Sequence, residues 1–118
     1  MRTPTEPQDP FARFKAMQRD VWAEFALNEA STTRPAAELV RFARLTRGEA
    51  VLDVGCGTGV VAVTAARAGA RATGVDLTPV LLERARQHAS LARVDIAFTE
   101  GDAEALPCED GSFDVVLS

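Results

Sequence analysis

The sequence is poor in several features, and each shortage excludes a class of protein. Its two cysteines, Cys56 and Cys108, are too few for a disulfide framework and lack the spacing of metal ligands. A formal net charge of −4 at pH 7 gives no electrostatic surface for nucleic acid. No apolar run approaches a membrane span, and the N-terminus MRTP lacks the apolar segment of a signal peptide. We therefore expect a cytoplasmic protein with no metal, nucleic-acid or membrane partner.

The chain of 118 residues can form at most one domain, and it divides into three parts. Residues 1–9 are polar and proline-rich, so we expect them to be disordered. Residues 10–46 predict an N-terminal helical cap with one apolar stripe. The stripe would either pack against the core or cover a ligand site as a lid. It consists of Phe11, Phe14, Val21, Trp22 and Phe25.

Residues 47–118 alternate strands with helices. Strands are expected at about 50–54, 71–76, 93–98 and 113–117, and helices at about 58–68 and 78–91. Such alternation predicts an α/β fold with a parallel sheet and right-handed crossovers. The far edge of the fourth strand would have no partner within these residues. We therefore expect an incomplete half-domain, and we expect the isolated 118 residues to be inactive.

The run VLDVGCGTG, residues 51–59, is the most informative motif of the chain. Its glycines, Gly55, Gly57 and Gly59, follow an apolar strand and precede a helix. This arrangement lets a nucleotide-like ligand lie against the backbone, because glycine permits conformations and close approaches that a Cβ would block. Val60 stands where a dinucleotide fingerprint has its third glycine, which argues against NAD.

This run and two further stretches, ATGVDLTPVLLERAR (72–86) and EGDAEALPCEDGSFDVVLS (100–118), resemble the class I S-adenosylmethionine-dependent methyltransferases. The likeness is to the small-molecule type that includes the ubiquinone and menaquinone biosynthesis methyltransferases. It implies a Rossmann-like parallel sheet with N-terminal helices, truncated here after the fourth of seven strands in the family order 3-2-1-4-5-7-6. It also implies the cofactor S-adenosylmethionine, the product S-adenosylhomocysteine and a small-molecule methyl acceptor.

The glycine turn is expected to form the floor of this cofactor site. Gly55, Gly57 and Gly59 would lie beneath the methionine and ribose portions of S-adenosylmethionine. Cys56, between two of these glycines, is counted with the turn as a small filler and not as a nucleophile. Asp53, at the end of the first strand, would either orient the turn or reach the ammonium group of the cofactor. The sequence leaves both roles of Asp53 open.

Asp76 and its neighbour are expected to hold the nucleoside. Asp76 closes the second strand seventeen residues after Gly59, where a carboxylate can accept both ribose hydroxyls, and the family has its ribose-binding acid at this position. The helix cap beside it is assigned to Thr78. Leu77 would pack on one face of the adenine.

The remaining cofactor contacts are expected after the third and fourth strands. The resemblance implies that Asp102 accepts from the adenine amino group and that the Ala103 N–H donates to a ring nitrogen. Ser118 ends the fourth strand at the carboxyl edge of the sheet and is expected near the sulfonium. His88, the only histidine, is interpreted as an ordinary residue of its helix. No catalytic residue is assigned.

Two other functions stay open at this point. An NAD(P)-binding enzyme would share the order of strand, glycine turn, helix and acid, although the missing third glycine and the stretch GDAEALP count against it. A non-catalytic nucleoside-binding module would be compatible with the incomplete sheet.

Overall fold

The computed structural model describes residues 9–118, apart from the side chains of residues 25–28. Residues 1–8, and with them most of the segment expected to be disordered, lie outside the described residues. The side chain of Phe25, one member of the expected apolar stripe, also lies outside them.

The described residues form a sheet of four strands, with two α-helices before the sheet and two that cross between its strands. In chain order the elements are helix α1 (Ala12–Ala23), a 3₁₀ helix (Glu24–Thr32), helix α2 (Thr33–Ala43), strand β1 (Ala50–Val54), helix α3 (Val60–Arg67), strand β2 (Arg71–Asp76), helix α4 (Pro79–Ala92), strand β3 (Ala97–Glu100) and strand β4 (Val115–Leu117). Within residues 9–118 the four strands form one parallel sheet in the order β3-β2-β1-β4. The expected α/β class and parallel sheet are confirmed.

Strand β1 lies at the centre of the sheet, and its residues explain why. Val51 and Leu52 are fully buried, with 0% and 1% of their surface exposed. Val51 lies opposite Ala72 of β2 on one side and Val115 of β4 on the other. A short apolar run with no polar alternation is typical of a strand covered on both faces. The bounds expected for the first two strands, 50–54 and 71–76, agree with the structure.

The expectation for the third strand, 93–98, is wrong at its start, because the strand begins at Ala97. Arg93 adopts a left-handed conformation with φ of 55°, and the Val94 N–H donates to the Ala89 carbonyl at 3.1 Å. These contacts form a Schellman motif that ends helix α4. Val94 and Ile96 still pack against the core from this connection, which is why their alternation resembled a strand.

Strand β4 begins at Val115, two residues later than expected. Asp114 occupies the position before it and is tied to β1 by two contacts. Its N–H donates to the Ala50 carbonyl, and its Oδ2 accepts from the Ala50 N–H, both at 2.8 Å. The side chain therefore takes the place of a backbone acceptor where the pairing of the two strands starts.

The close packing of the sheet against its helices depends on a glycine in β2. A Cβ at Gly74 would lie 2.6 Å from Phe98 Cδ1 and 2.9 Å from the sulfur of Cys56. The Phe98 ring, only 8% exposed, fills the space that a side chain at Gly74 would need.

The helical cap contributes Ala36 and Val40 of α2 to the buried residues. Among the helices of residues 9–118, none has the length and hydropathy that a membrane crossing requires.

Candidate functional site

A cavity of about 360 Å³ lies where the carboxyl ends of three parallel strands meet helix α1. Ligands of open parallel sheets bind at this edge, beyond the carboxyl ends of the strands. The lining comes from α1, the glycine turn, the end of β2, the start of α4 and the loop after β3. Its residues are Phe14, Lys15, Gln18, Trp22, Val54, Gly55, Gly57, Val75, Asp76, Leu77, Thr78, Leu81, Gly101, Asp102 and Ala103. Six of the ten expected cofactor-binding residues are among them: Gly55, Gly57, Asp76, Leu77, Asp102 and Ala103.

The three glycines of the turn have positive φ angles, but they do not share one role. Gly55 and Gly57, at +69° and +54°, line the cavity, and no atom lies within 4 Å of where their Cβ would be. They leave open space at the cavity wall. Gly59, at +82°, does not line the cavity: its Cβ would lie 3.0 Å from Ala85 Cβ and 3.1 Å from Phe98 Cζ. Gly59 therefore serves the packing of α3 against its neighbours.

The backbone N–H groups of the turn are already bonded to strand β2. The N–H groups of Gly55 and Cys56 donate to the Val75 carbonyl at 2.8 and 3.0 Å. The Gly57 N–H donates to Asp76 Oδ2 at 2.8 Å. Phosphate sites at such turns require free N–H groups that point at the ligand. Three consecutive N–H groups of the turn, from Gly55 to Gly57, are therefore not available to a pyrophosphate.

Asp76 lies at the end of β2 and is held by two backbone donors. Besides the contact from Gly57, its Oδ1 accepts from the Thr78 N–H at 2.8 Å. Thr78 occupies the N-cap position of α4, but its side chain makes no cap hydrogen bond. Thr78 is therefore the N-cap residue by position, as expected, but its side chain supplies no cap bond, and its own N–H is held by Asp76. Each carboxylate oxygen has lone pairs beyond these bonds, and the Asp76 side chain borders the cavity.

Two expected site residues, Cys56 of the turn and Asp53 of β1, do not line the cavity. Burial raises the pKa of the Cys56 thiol, so it stays protonated and serves as a small filler. Asp53 is 3% exposed, and its Oδ2 accepts from the Ala62 N–H in the first turn of α3 at 3.1 Å. Burial raises the pKa of Asp53 to about 7, against an ordinary value of 3.8. Of the two roles open for Asp53, this geometry favours orientation of the turn and the helix that follows it.

Asp102, after β3, is paired with a cation from the N-terminal helix. Its Oδ1 accepts from the Glu104 N–H at 2.9 Å, and its Oδ2 forms an ion pair with Lys15 Nζ. Lys15 also contacts the carboxylates of Asp9 and Glu104, each at 2.8 Å. The hydrogen bond from Lys15 holds the pKa of Asp102 below its ordinary value. Ala103 follows Asp102 and borders the cavity with an exposed backbone.

Helix α1 closes one side of the cavity, which the apolar stripe alone did not establish. Phe11, Phe14, Val21 and Trp22 are about half exposed, so the core-packing interpretation of the stripe is wrong for these four residues. Phe14 and Trp22 line the cavity, as the lid interpretation requires.

Polar side chains of α1 fasten the helix to the sheet edge, and the sequence reasoning missed them. Besides the contacts of Lys15, the Arg19 Nε donates to the Leu77 carbonyl at 3.0 Å, and an Arg19 NH2 group contacts Glu100 at 3.3 Å. Lys15 and Arg19 are four residues apart, so they lie on one helix face. The region 94–118 has acids but no lysine or arginine. That complementarity was the signal available in the sequence.

Two further residues considered in the sequence analysis, Ser118 and His88, lie outside the cavity lining. Ser118 is exposed after β4 and does not line the cavity. His88 is partly buried on α4, and its Nδ1 lies 2.8 Å from the Thr58 carbonyl of the glycine turn. The interpretation of His88 as an ordinary helix residue missed this contact. Within residues 9–118, no three His, Cys, Asp or Glu side chains are grouped closely enough to hold a metal ion.

A glycine turn after β1, with acids after β2 and β3 at the same edge of a parallel sheet, defines a Rossmann-like nucleoside-binding fold. A family model described as a methyltransferase domain matches residues 51–118. A crystal structure of an S-adenosylmethionine-dependent methyltransferase from Thiobacillus denitrificans, in complex with S-adenosylhomocysteine, has a TM-score of 0.62 at 36% identity. It covers 69% of this chain and 34% of that one. The chain belongs to the class I S-adenosylmethionine-dependent methyltransferases.

Two curated relatives match this chain over only a part of their own length. An uncharacterized protein of Mycobacterium tuberculosis is 49% identical over 80 residues, which are 68% of this chain and 29% of that protein. The ribosomal protein L11 methyltransferase of Burkholderia mallei is 40% identical over 72 residues, which are 60% of this chain and 23% of that protein. The chain thus spans less than a third of the length of either relative.

The raised pKa of Asp53 predicts a pH dependence of stability. The folded state keeps Asp53 protonated up to about pH 7, whereas the unfolded chain loses this proton near pH 3.8. The contribution of Asp53 to the free energy of unfolding is therefore full below the lower value and falls as the pH rises towards the higher one. Asp53→Asn cannot ionise but keeps an acceptor oxygen for Ala62, so this variant should lose less stability over the same pH range.

Urea denaturation of both proteins from about pH 4 to about pH 8 measures the difference. The other titrating groups are common to the two proteins, so they cancel in the comparison. Parallel curves of unfolding free energy against pH would contradict the predicted burial of a protonated Asp53.

Proposed function

We propose that this chain forms the S-adenosylmethionine-binding part of a methyltransferase that acts on a small-molecule acceptor. The observation that carries the proposal is the meeting of Asp76, Asp102 and the open glycine wall in one cavity. Asp76 has acceptor capacity for the ribose hydroxyls, and Asp102 has it for the adenine amino group. Leu77 supplies an apolar surface for the adenine ring, and Gly55 and Gly57 leave room for the methionine portion.

The bonding of the glycine turn supports this ligand over a nicotinamide dinucleotide. A dinucleotide needs N–H donors for its pyrophosphate, but the N–H groups of Gly55, Cys56 and Gly57 are bonded to the end of β2. S-adenosylmethionine has no phosphate and does not need them. The missing third glycine is a separate observation, and it also favours S-adenosylmethionine over a nicotinamide dinucleotide.

The bound cofactor would supply a methyl group already activated by its sulfonium. The protein then has to align the acceptor and exclude water, with a base needed only when the acceptor must lose a proton. Phe14, Trp22 and Leu81 give the cavity apolar walls beside the two carboxylates. No side chain of residues 9–118 is assigned as a catalytic base.

The small-molecule acceptor is the finer part of the proposal. It rests on the motif likeness to the ubiquinone and menaquinone type and on the net charge of −4, which does not favour a nucleic-acid substrate. The relative from Burkholderia mallei is named for a ribosomal protein, so membership of the family leaves the acceptor class open. The cytoplasmic location expected from the sequence also stays a prediction.

The proposed function can be tested first by the identity of the ligand that the protein binds. Titration calorimetry of the purified protein should give saturable heat with S-adenosylhomocysteine and S-adenosylmethionine, and none with NAD or NADH, because the N–H groups of Gly55 to Gly57 are already bonded to β2 and the third glycine of a dinucleotide site is missing. A protein that is folded by circular dichroism but gives heat only with the dinucleotides would overturn the assignment.

Asp76→Ala should weaken S-adenosylhomocysteine binding by about 1–3 kcal/mol, because the ribose hydroxyls would lose an acceptor and the Gly57 N–H of the turn would lose its partner. The matched control is Asp95→Ala, since Asp95 is exposed at the opposite, amino-terminal end of β3. The control should bind like the unmodified protein, and both variants should keep the fold. Equal affinity of the Asp76 and Asp95 variants would show that the ribose is held elsewhere.

Acceptor class can be measured with S-adenosylmethionine labelled in its methyl group. After the complete methyltransferase of which this chain is proposed to form the cofactor-binding part is incubated with a cell extract, label should appear in the small-molecule fraction. The Asp76→Ala protein, incubated in parallel at limiting cofactor, should transfer less. If the label that Asp76→Ala reduces is found in the protein or RNA fraction instead, the small-molecule part of the proposal is refuted.

A further inference from the structure

His88 connects three parts of the molecule, although it does not line the cavity. Its Nδ1 lies 2.8 Å from the carbonyl oxygen of Thr58, inside the glycine turn. Its Nε2 lies 3.3 Å from Glu29 Oε1, in the 3₁₀ helix of the N-terminal cap. The side chains of His88 and Glu29 are only 25% and 21% exposed. The imidazole thus bridges the cap and the turn.

The partners of the ring define where its proton is needed. A carbonyl oxygen only accepts hydrogen bonds, so Nδ1 must carry the proton in the contact with Thr58. The carboxylate of Glu29 also only accepts, and its contact with Nε2 is an ion pair when the ring is protonated. Both nitrogens therefore face acceptors. The contact with Thr58 requires a proton on Nδ1, whether or not Nε2 carries one as well.

Glu29 is itself fixed by a second side chain of α4. Arg84, one turn before His88, places NH2 and Nε groups 3.2 and 3.5 Å from the two oxygens of Glu29. Burial raises the pKa of Glu29, but the hydrogen bond from Arg84 and the charges of Arg84 and His88 outweigh it, and the net shift is downward. Glu29 is therefore a carboxylate that holds the outer nitrogen of the imidazole.

The contact with Thr58 fixes one peptide plane of the turn from both sides. The carbonyl of this plane accepts from His88, and its N–H, which belongs to Gly59, donates to the Cys56 carbonyl at 2.9 Å. Thr58 is 4% exposed, so its carbonyl has little access to water. The preceding residue is Gly57, which borders the cavity and bonds to Asp76. Loss of the His88 bond would leave this plane held only by the bond from Gly59 to Cys56, with a buried carbonyl that has no partner.

We propose that His88 is a positioning residue for the cofactor turn, with Glu29 orienting its ring from the N-terminal cap. The proposal rests on the proposed S-adenosylmethionine site, and it deepens that function by naming what holds the turn in its binding conformation. His88 acts through Thr58 and touches no ligand. Its substitution should weaken cofactor binding without removing any group that contacts the cofactor.

Three variants of the protein test this role by titration with S-adenosylhomocysteine. His88→Ala removes both contacts and should weaken binding about 5- to 10-fold, the equivalent of one lost hydrogen bond of about 1 kcal/mol. His88→Asn places an amide N–H near the position of Nδ1, so it should restore most of the affinity. Gln87→Ala, at the exposed neighbouring position of α4, is the matched control and should bind normally.

A second measurement reads the ring directly. Nitrogen-15 spectra should show a proton on Nδ1 of His88, with the signal assigned by its loss in the His88→Asn protein. Binding of S-adenosylhomocysteine should shift this signal, although the ring lies outside the cavity. A neutral ring protonated only on Nε2 would overturn the proposal.

The outcomes separate this inference from the function on which it rests. If the unmodified protein fails to bind S-adenosylhomocysteine, the proposed function falls, and the positioning role falls with it. If the unmodified protein binds but His88→Ala melts at a lower temperature and binds with unchanged affinity, His88 is merely structural and only the positioning role is refuted. Weaker binding by folded His88→Ala, restored by asparagine, supports it.

Discussion

The hydrogen bonds between the glycine turn and the end of β2 determine the shape of the site. Three successive N–H groups of the turn, from Gly55 to Gly57, donate to Val75 and Asp76. They bring the loop after β1 against the neighbouring strand and leave the cavity above them. Because these three donors are occupied, Gly55 and Gly57 offer the cavity open space and not hydrogen-bond donors for a phosphate. The kind of nucleoside ligand that fits follows from this bonding more than from the number of glycines.

The N-terminal helix meets this edge through charge on one side and apolar contact on the other. Lys15 and Arg19 contact acids and a carbonyl that follow β2 and β3. Phe14 and Trp22, on the adjoining part of the helix, face the cavity. The Arg19–Glu100 pair is exposed, and exposed ion pairs contribute little to stability, so this contact serves mainly to set where the helix lies. The cap is therefore placed by the same acidic loops that border the ligand site.

Much of the central sheet was predictable because its signals are local. The apolar runs of β1 and β2 are bounded by glycine and charged residues, and their limits agree with the structure. The start of β3 was not predictable in this way, because Arg93 adopts a left-handed conformation that usually belongs to glycine. The apolar residues that follow it pack on the core without pairing as a strand.

For the cofactor site, too, the sequence shows which residues follow one another along the chain but not which distant residues are in contact. The family resemblance implied that Asp76 and Asp102 would hold parts of one cofactor, and both border the same cavity. Spacing could not show that Gly59 packs against Ala85 and Phe98, since those contacts come from distant parts of the chain. The contact of His88 with the turn was hidden for the same reason, because thirty residues separate the two partners.

The three aspartates near the carboxyl ends of β1, β2 and β3 show how environment alone gives one residue type different roles. Asp53 is buried and bonded to the N-terminus of α3, so its raised pKa reflects a group that a ligand does not reach. Asp76 is bonded only to backbone donors and still borders the cavity, which leaves it free to accept from a ligand. Asp102 borders the same cavity but is paired with Lys15. A nucleoside that uses Asp102 must share it with this ammonium or displace it, so the affinity of the adenine subsite depends on where helix α1 places Lys15.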